Sequence, residues 1–137
     1  LVGSEMCIRD SYCPNNELTE LDLGNNTALG QLTVTNNQLK ELDISKDTAL
    51  TYLACANNQL KELNVSKNTA LTELSCSYNQ LTELNVNNNT ALTRIDCGSN
   101  QLSELDVSKN TALTYLSCGS NEGNKLTKLD VSNTSNK

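Results

Sequence analysis

Apolar and polar positions along this chain follow one beat. Leu29, Leu50, Leu71, Leu92 and Leu113 stand 21 residues apart, and nearly every other kept position obeys the same period. Residues 50–70, LTYLACANNQLKELNVSKNTA, return as LTELSCSYNQLTELNVNNNTA from Leu71 and as LTRIDCGSNQLSELDVSKNTA from Leu92. Five copies and an edited sixth fill the sequence. A period of this length marks a solenoid, in which each unit exposes an apolar face until a neighbour stacks on it. One isolated unit buries too few side chains to offset the entropy of ordering its backbone. Stability must come from the interfaces between coils.

Each unit has two halves. In L-x-x-L-x-C-x-x-N-x-L the alternation of Leu and Cys with polar neighbours predicts a short strand and then a turn, and stacked coils would pair these strands into a parallel sheet. The second half, L-x-x-L-x-V-S-x-N-T-A, predicts a second, shorter extended segment on the opposite face. Nothing has the length or the 3.6-residue period of a regular helix.

Composition changes this picture little. Of 137 residues, 36% are hydrophobic and 3% aromatic, which is poor material for a wide globular core but enough for a linear column of Leu, Val, Ile, Cys and Ala. A net charge of −6 argues against nucleic-acid or anionic-membrane partners, because no basic patch is present to neutralise phosphate. No apolar run is long enough to span a bilayer, so direct membrane insertion is not expected. The chain has no His, and its Ser, Cys and Asp residues sit at repeat-fixed positions rather than converging on a pocket. Neither catalysis nor a cofactor is implied.

These units resemble bacterial leucine-rich repeats, in particular the 21-residue, cysteine-containing repeats of internalin-J-type surface proteins, over residues 12–131. The resemblance implies a right-handed solenoid, almost entirely strand and turn, with a parallel sheet on its concave face. It also implies a non-catalytic ligand-binding protein on a bacterial surface or outside the cell. In such repeats an Asn bonds backbone groups that the tight turn leaves unpaired inside the stack. Here that column is Asn16, Asn37, Asn58, Asn79, Asn100 and Asn121. A second column of Asn26, Asp47, Asn68, Asn89 and Asn110 marks the other turn by the same chemistry.

Cys13, Cys55, Cys76, Cys97 and Cys118 share their column with Val34, so the position asks for a small apolar group rather than a thiolate. Stacked thiols would come within disulfide range, but parallel side chains make the torsion awkward. Four sulfurs in a row cannot surround one zinc ion, and no metal site is expected. Glu20, Glu41, Glu62, Glu83 and Glu104 form a like-charge column, followed two residues on by Asp22, Asp43, Asn64, Asn85 and Asp106. This reads as a solvated face, with weak cation binding between coils as the sharper alternative.

The variable outward column is Gln31, Tyr52, Glu73, Arg94 and Tyr115, flanked by Thr33, Ala54, Ser75, Asp96 and Ser117 and then by Tyr78. It is either a binding face or free drift. If it binds, the contacts are Tyr52, Glu73, Tyr78, Arg94, Asp96 and Tyr115, since Tyr and Arg are frequent interface anchors.

Residues 1–11, LVGSEMCIRDS, fall outside the repeat register and resemble the in-frame translation of a sequencing-library adapter. They are expected to be non-native and disordered, leaving Cys7 without function and residues 12–137 as the array. After Asn121 three additional residues push the next Leu to Leu126, and Glu122-Gly123-Asn124 are expected to bulge before Leu129 and Val131 recover the register. With no recognisable cap at either end, the array reads as a fragment of a larger protein, monomeric but open to end-to-end association. The leading expectation is a protein- or glycan-binding adhesion module. The alternatives are a recognition segment of a multidomain enzyme or effector, and a passive spacer.

Overall fold

A computed structural model describes residues 9–119 and 123–134 of the chain. The strands are β1 (Asp10–Tyr12), β2 (Gln31–Thr33), β3 (Tyr52–Ala54), β4 (Glu73–Ser75), β5 (Arg94–Asp96), β6 (Glu104–Asp106), β7 (Tyr115–Ser117) and β8 (Lys128–Asp130). Six of them pair in parallel in the order β1-β2-β3-β4-β5-β7, and β6 pairs with β8 in a second sheet. No helix occurs among the described residues. Register follows the period: Leu32 faces Leu53, Leu53 faces Leu74, Leu74 faces Ile95, and Ile95 faces Leu116. The chain is a leucine-rich-repeat solenoid of parallel coils.

The sheet strands are three residues long, and in β2, β4 and β5 the middle side chain is buried while the flanking two are half-buried or exposed. Inside, the column of Leu32, Leu53, Leu74 and Ile95 packs with Leu39, Leu60, Leu81 and Leu102 from the following turn and with Ile44, Val65, Val86 and Val107 from the far side. All of them are essentially sealed from water. Such a core is narrow enough for aliphatic side chains to fill from both walls, so aromatics are unnecessary.

The second extended segment is regular only at the C-terminal end, where Leu105 faces Leu129 across β6 and β8. In earlier coils the same stretch forms no strand. Its conserved device is a side chain instead. Asp22, Asp43, Asn64, Asn85, Asp106 and Asp130 each accept a hydrogen bond at Oδ1 from the backbone N–H two residues on, at 2.7–3.0 Å. This Asx turn explains why Asp and Asn interchange along that line.

Two expectations at the N-terminal side need correction. Asp10 and Ser11 are not disordered: they pair with Gln31 and Leu32 in β1, and the Arg9 carbonyl accepts from Gly30 N at 2.6 Å. Parallel pairing uses main-chain groups alone, so residues foreign to the repeat can still add a strand. The misfit shows in the side chain, because Ser11 takes a leucine's buried place with an unpartnered Oγ. Residues 1–8, including Cys7, lie outside the described residues. Asn16 is not inward either; it is exposed and bonds only its own turn, through Cys13 O and Pro14 O.

The expected bulge is also displaced. Asn124, not Asn121, stands in the asparagine column: its Nδ2 donates to Cys97 O and Cys118 O, both at 2.9 Å, and its Oδ1 accepts from Leu102 N at 3.0 Å. The additional residues therefore fall between Gly119 and Asn124. Asn121 itself lies outside the described residues.

Candidate functional site

Asn37, Asn58, Asn79 and Asn100 are each buried, and each ties two coils together. Asn58 Nδ2 reaches Val34 O in the coil before at 3.0 Å and Cys55 O in its own turn at 3.1 Å, while Oδ1 accepts from Leu39 N at 3.0 Å. The pattern repeats at Asn79 and Asn100. Every polar atom of these side chains is committed to backbone, so the column holds the fold.

The cysteines divide by position. Cys55, Cys76 and Cys97 are sealed, whereas Cys13 and Cys118 at the two ends of the column are half-buried, and all five are free thiols. Burial pushes the thiols of Cys55 and Cys97 up to about 12 and that of Cys76 well above its ordinary value. Thiols so reluctant to ionise are poor nucleophiles and poor metal ligands. Among the described residues no group of three potential metal-ligating side chains occurs.

The second turn column behaves differently. Asn68, Asn89 and Asn110 donate from Nδ2 to two carbonyls of the preceding coil, as Asn68 does to Ile44 O at 2.8 Å and Asp47 O at 3.0 Å. Asp47 occupies this column with no side-chain N–H to donate, and its Oδ1, like those of Asn68, Asn89 and Asn110, is buried without a partner. Desolvation, followed by the nearby Asp43 charge, raises its carboxyl to about 6. By contrast the Ser45 hydroxyl and N–H, donating to exposed Asp43, hold that carboxyl below its ordinary value.

The glutamate column lies exposed along one side. There Lys40, Glu41, Asp43, Lys61, Glu62, Asn64 and Gln80 line an open groove of about 890 Å³, in which charges of both signs alternate.

On the six-stranded sheet, Tyr52 and Glu73 are half-buried and Arg94 and Tyr115 exposed. Strand pairing sets Tyr52 beside Glu73, Glu73 beside Arg94, and Arg94 beside Tyr115. The last pair is in contact: the Arg94 guanidinium carbon lies 3.7 Å from the centre of the Tyr115 ring. Asp96 is half-buried at the end of β5, where its Oδ1 accepts from Gly98 N at 3.4 Å. Tyr78 stands apart, on the turn beyond β4. The structure thus unites Tyr52, Glu73, Arg94 and Tyr115 in one strip and sets Tyr78 and Asp96 around an adjoining corner groove.

One further column carried no role in the sequence reading. Thr51, Thr72, Thr93 and Thr114 donate their hydroxyls to main-chain carbonyls one coil earlier, at 3.0–3.1 Å. They brace the start of each sheet strand, and an unbroken Thr at an exposed position was the signal.

No protein-family model matches the sequence, and no curated protein matches it. Solved structures do. The functional domain of the internalin InlJ from Listeria monocytogenes, which includes a cysteine ladder, superposes with a TM-score of 0.72 at 30% identity over 82% of this chain and 30% of its own. The internalin InlF of the same organism gives 0.70 at 29% identity, over 74% of this chain and 30% of its own. The leucine-rich effector YopM from Yersinia pestis gives 0.69 at 31% identity, over 85% of this chain and 32% of its own. The chain spans about a third of the length of these proteins. Shared coil length, shared parallel sheet and these likenesses identify it as an internalin-like leucine-rich-repeat protein.

Proposed function

We propose that the array is a non-catalytic recognition module whose protein partner lies across the six-stranded sheet, along Tyr52, Glu73, Arg94 and Tyr115. The observation that carries this reading is the stack of Arg94 on Tyr115. Two side chains that contribute nothing to the core hold each other in a fixed, flat, amphipathic surface, which lowers the entropy lost when a partner docks. Likeness to two internalins supports a secreted or surface-displayed adhesion role within a longer protein. Likeness to a leucine-rich effector favours a second placement, as the recognition segment of an effector. The coding sequence beyond both ends separates the two, since an anchor supports the first and an appended effector domain the second.

The surface is tested by selecting protein partners from a displayed library and comparing two variants of the array. Replacing Tyr52, Arg94 and Tyr115 together by Ala should abolish binding while leaving the melting temperature almost unchanged, since none of the three supports the core. Replacing Glu41, Glu62 and Glu83 by Gln should leave binding intact. The opposite result would move the site to the glutamate face.

A further inference from the structure

Beyond each of the strands β1 to β5, the chain turns a corner through one residue of left-handed backbone. Asn15, Asn36 and Asn57 hold these corners at φ 54–56°, Tyr78 at 54° and Ser99 at 53°. Asn tolerates that region because its short polar side chain finds local partners, as Asn36 Nδ2 does in donating to Asn15 Oδ1 at 2.7 Å. Tyr has no such compensation, since its Cβ crowds the following carbonyl. Nor does packing return the cost, for Tyr78 is 61% exposed. One corner of the array thus gives up stability to hold an aromatic ring in water, and strain of this kind clusters at functional sites.

That ring walls an open groove of about 910 Å³. Its lining includes bare backbone at Gly98 and Gly119. Gly98 has a steric reason to lack a side chain, because a Cβ there would come 2.5 Å from the Gly119 carbonyl; at Gly119 a Cβ would meet nothing within 4 Å. Asn79 and Asn100, also on the groove, are committed to main-chain carbonyls. Among the described residues, the other side chains that line the groove are the Tyr78 ring, the Asp96 carboxylate, the Gln101 amide and the hydroxyls of Ser77, Ser99 and Ser117.

We propose that this corner groove is a subsite for a neutral saccharide, with Tyr78 as the platform for the apolar C–H face of a pyranose and Asp96 and Gln101 bonding its hydroxyls. A pyranose matches the inventory: one flat apolar face for one exposed ring, and a rim of hydroxyls for a carboxylate and an amide that accept and donate. An anion would meet the Asp96 charge, and no cation stands among the described lining residues to offset it. An apolar ligand would find one aromatic wall and an otherwise polar lining. The proposal rests on the recognition reading but uses none of the strip formed by Tyr52, Arg94 and Tyr115.

The test is saturation-transfer NMR on the full chain with methyl β-D-glucopyranoside, methyl β-D-galactopyranoside, N-acetyl-D-glucosamine and, separately, tetralysine. At least one sugar should receive transfer to its ring protons. The signal should vanish in Tyr78→Asn and persist in Glu62→Gln on the opposite side. Because Tyr78→Asn restores the residue that other corners use, it should melt higher by about 2–4 °C, so loss of signal cannot be loss of fold. Three results would overturn the proposal: no transfer to any sugar, transfer that survives Tyr78→Asn, or tetralysine binding in place of the sugars, which would assign the groove to a cationic partner. A protein partner selected on the sheet strip should still bind Tyr78→Asn, so failure here is distinct from failure of the strip.

Discussion

Asn79 donates from Nδ2 to the carbonyl of Cys55, 24 residues earlier and one coil away, at 3.0 Å. Its Oδ1 accepts from Leu60 N in that same coil, also at 3.0 Å, and Nδ2 further reaches Cys76 O at 3.1 Å. One side chain therefore fastens both edges of a turn to the coil beneath it, in a place water does not reach.

Replacing Asn79 by Ala should be costly for this reason. It strands Leu60 N–H in the interior and leaves the Cys55 carbonyl with Asn58 Nδ2 alone as side-chain donor, and a buried group left unpaired costs about 1–3 kcal/mol. A loss of about 1–3 kcal/mol is expected from urea unfolding. Asn16→Ala, at an exposed position bonded only to its own turn, should cost less than about 1 kcal/mol. Equal effects at the two positions would show that the asparagine column does not act through the coil interface.

The period of 21 was enough to read strand, turn, core column and parallel register from the sequence, because in a solenoid each residue's neighbours are its own counterparts one repeat away. That is why the pairing of Arg94 with Tyr115 was legible before their contact was. What failed was whatever depends on a break in the period. Asn121 and Asn124 are both asparagines near the insertion, and only the positions of Cys97 O and Leu102 N decide which one enters the stack. Asp10 and Ser11 lacked the repeat's side chains, yet strand pairing asks only for main-chain groups. The left-handed corner at Tyr78 was not seen, although asparagine at Asn15, Asn36 and Asn57 in the same column was its signal.

The cysteine column should behave as packing. Cys76→Val exchanges similar volumes in a sealed site and should change stability by less than about 1.5 kcal/mol, whereas Cys76→Asp would bury an unpaired charge and cost several. Native Cys55, Cys76 and Cys97, with ionisation pushed far above neutrality, should resist thiol reagents at pH 8 until the chain unfolds. Half-buried Cys118 should react first among the cysteines on the C-terminal side. Intact-mass analysis of freshly prepared protein showing internal disulfides would refute the packing role.

Asp47 should give the array a pH dependence of unusual sign. Asn68, Asn89 and Asn110 donate here to carbonyls of the coil before; a protonated Asp47 can donate too, while an ionised one turns a charge toward the same kind of acceptors. Its carboxyl is raised from 3.8 to about 6, chiefly by desolvation. A group raised on folding contributes stability that is complete below its unfolded value and disappears as pH rises through the folded one. Stability from this residue should therefore fall between pH 4 and 6 and stay low above that window. Water screening near the surface of the turn reduces the effect to about 1–2 kcal/mol. Asp47→Asn should recover that amount at pH 7, restore the bonds its column makes elsewhere, and flatten the dependence between pH 4 and 7. If the variant unfolds at the same urea concentration as the parent at pH 7, Asp47 is not ionised against those carbonyls, and the turn must satisfy it by another route.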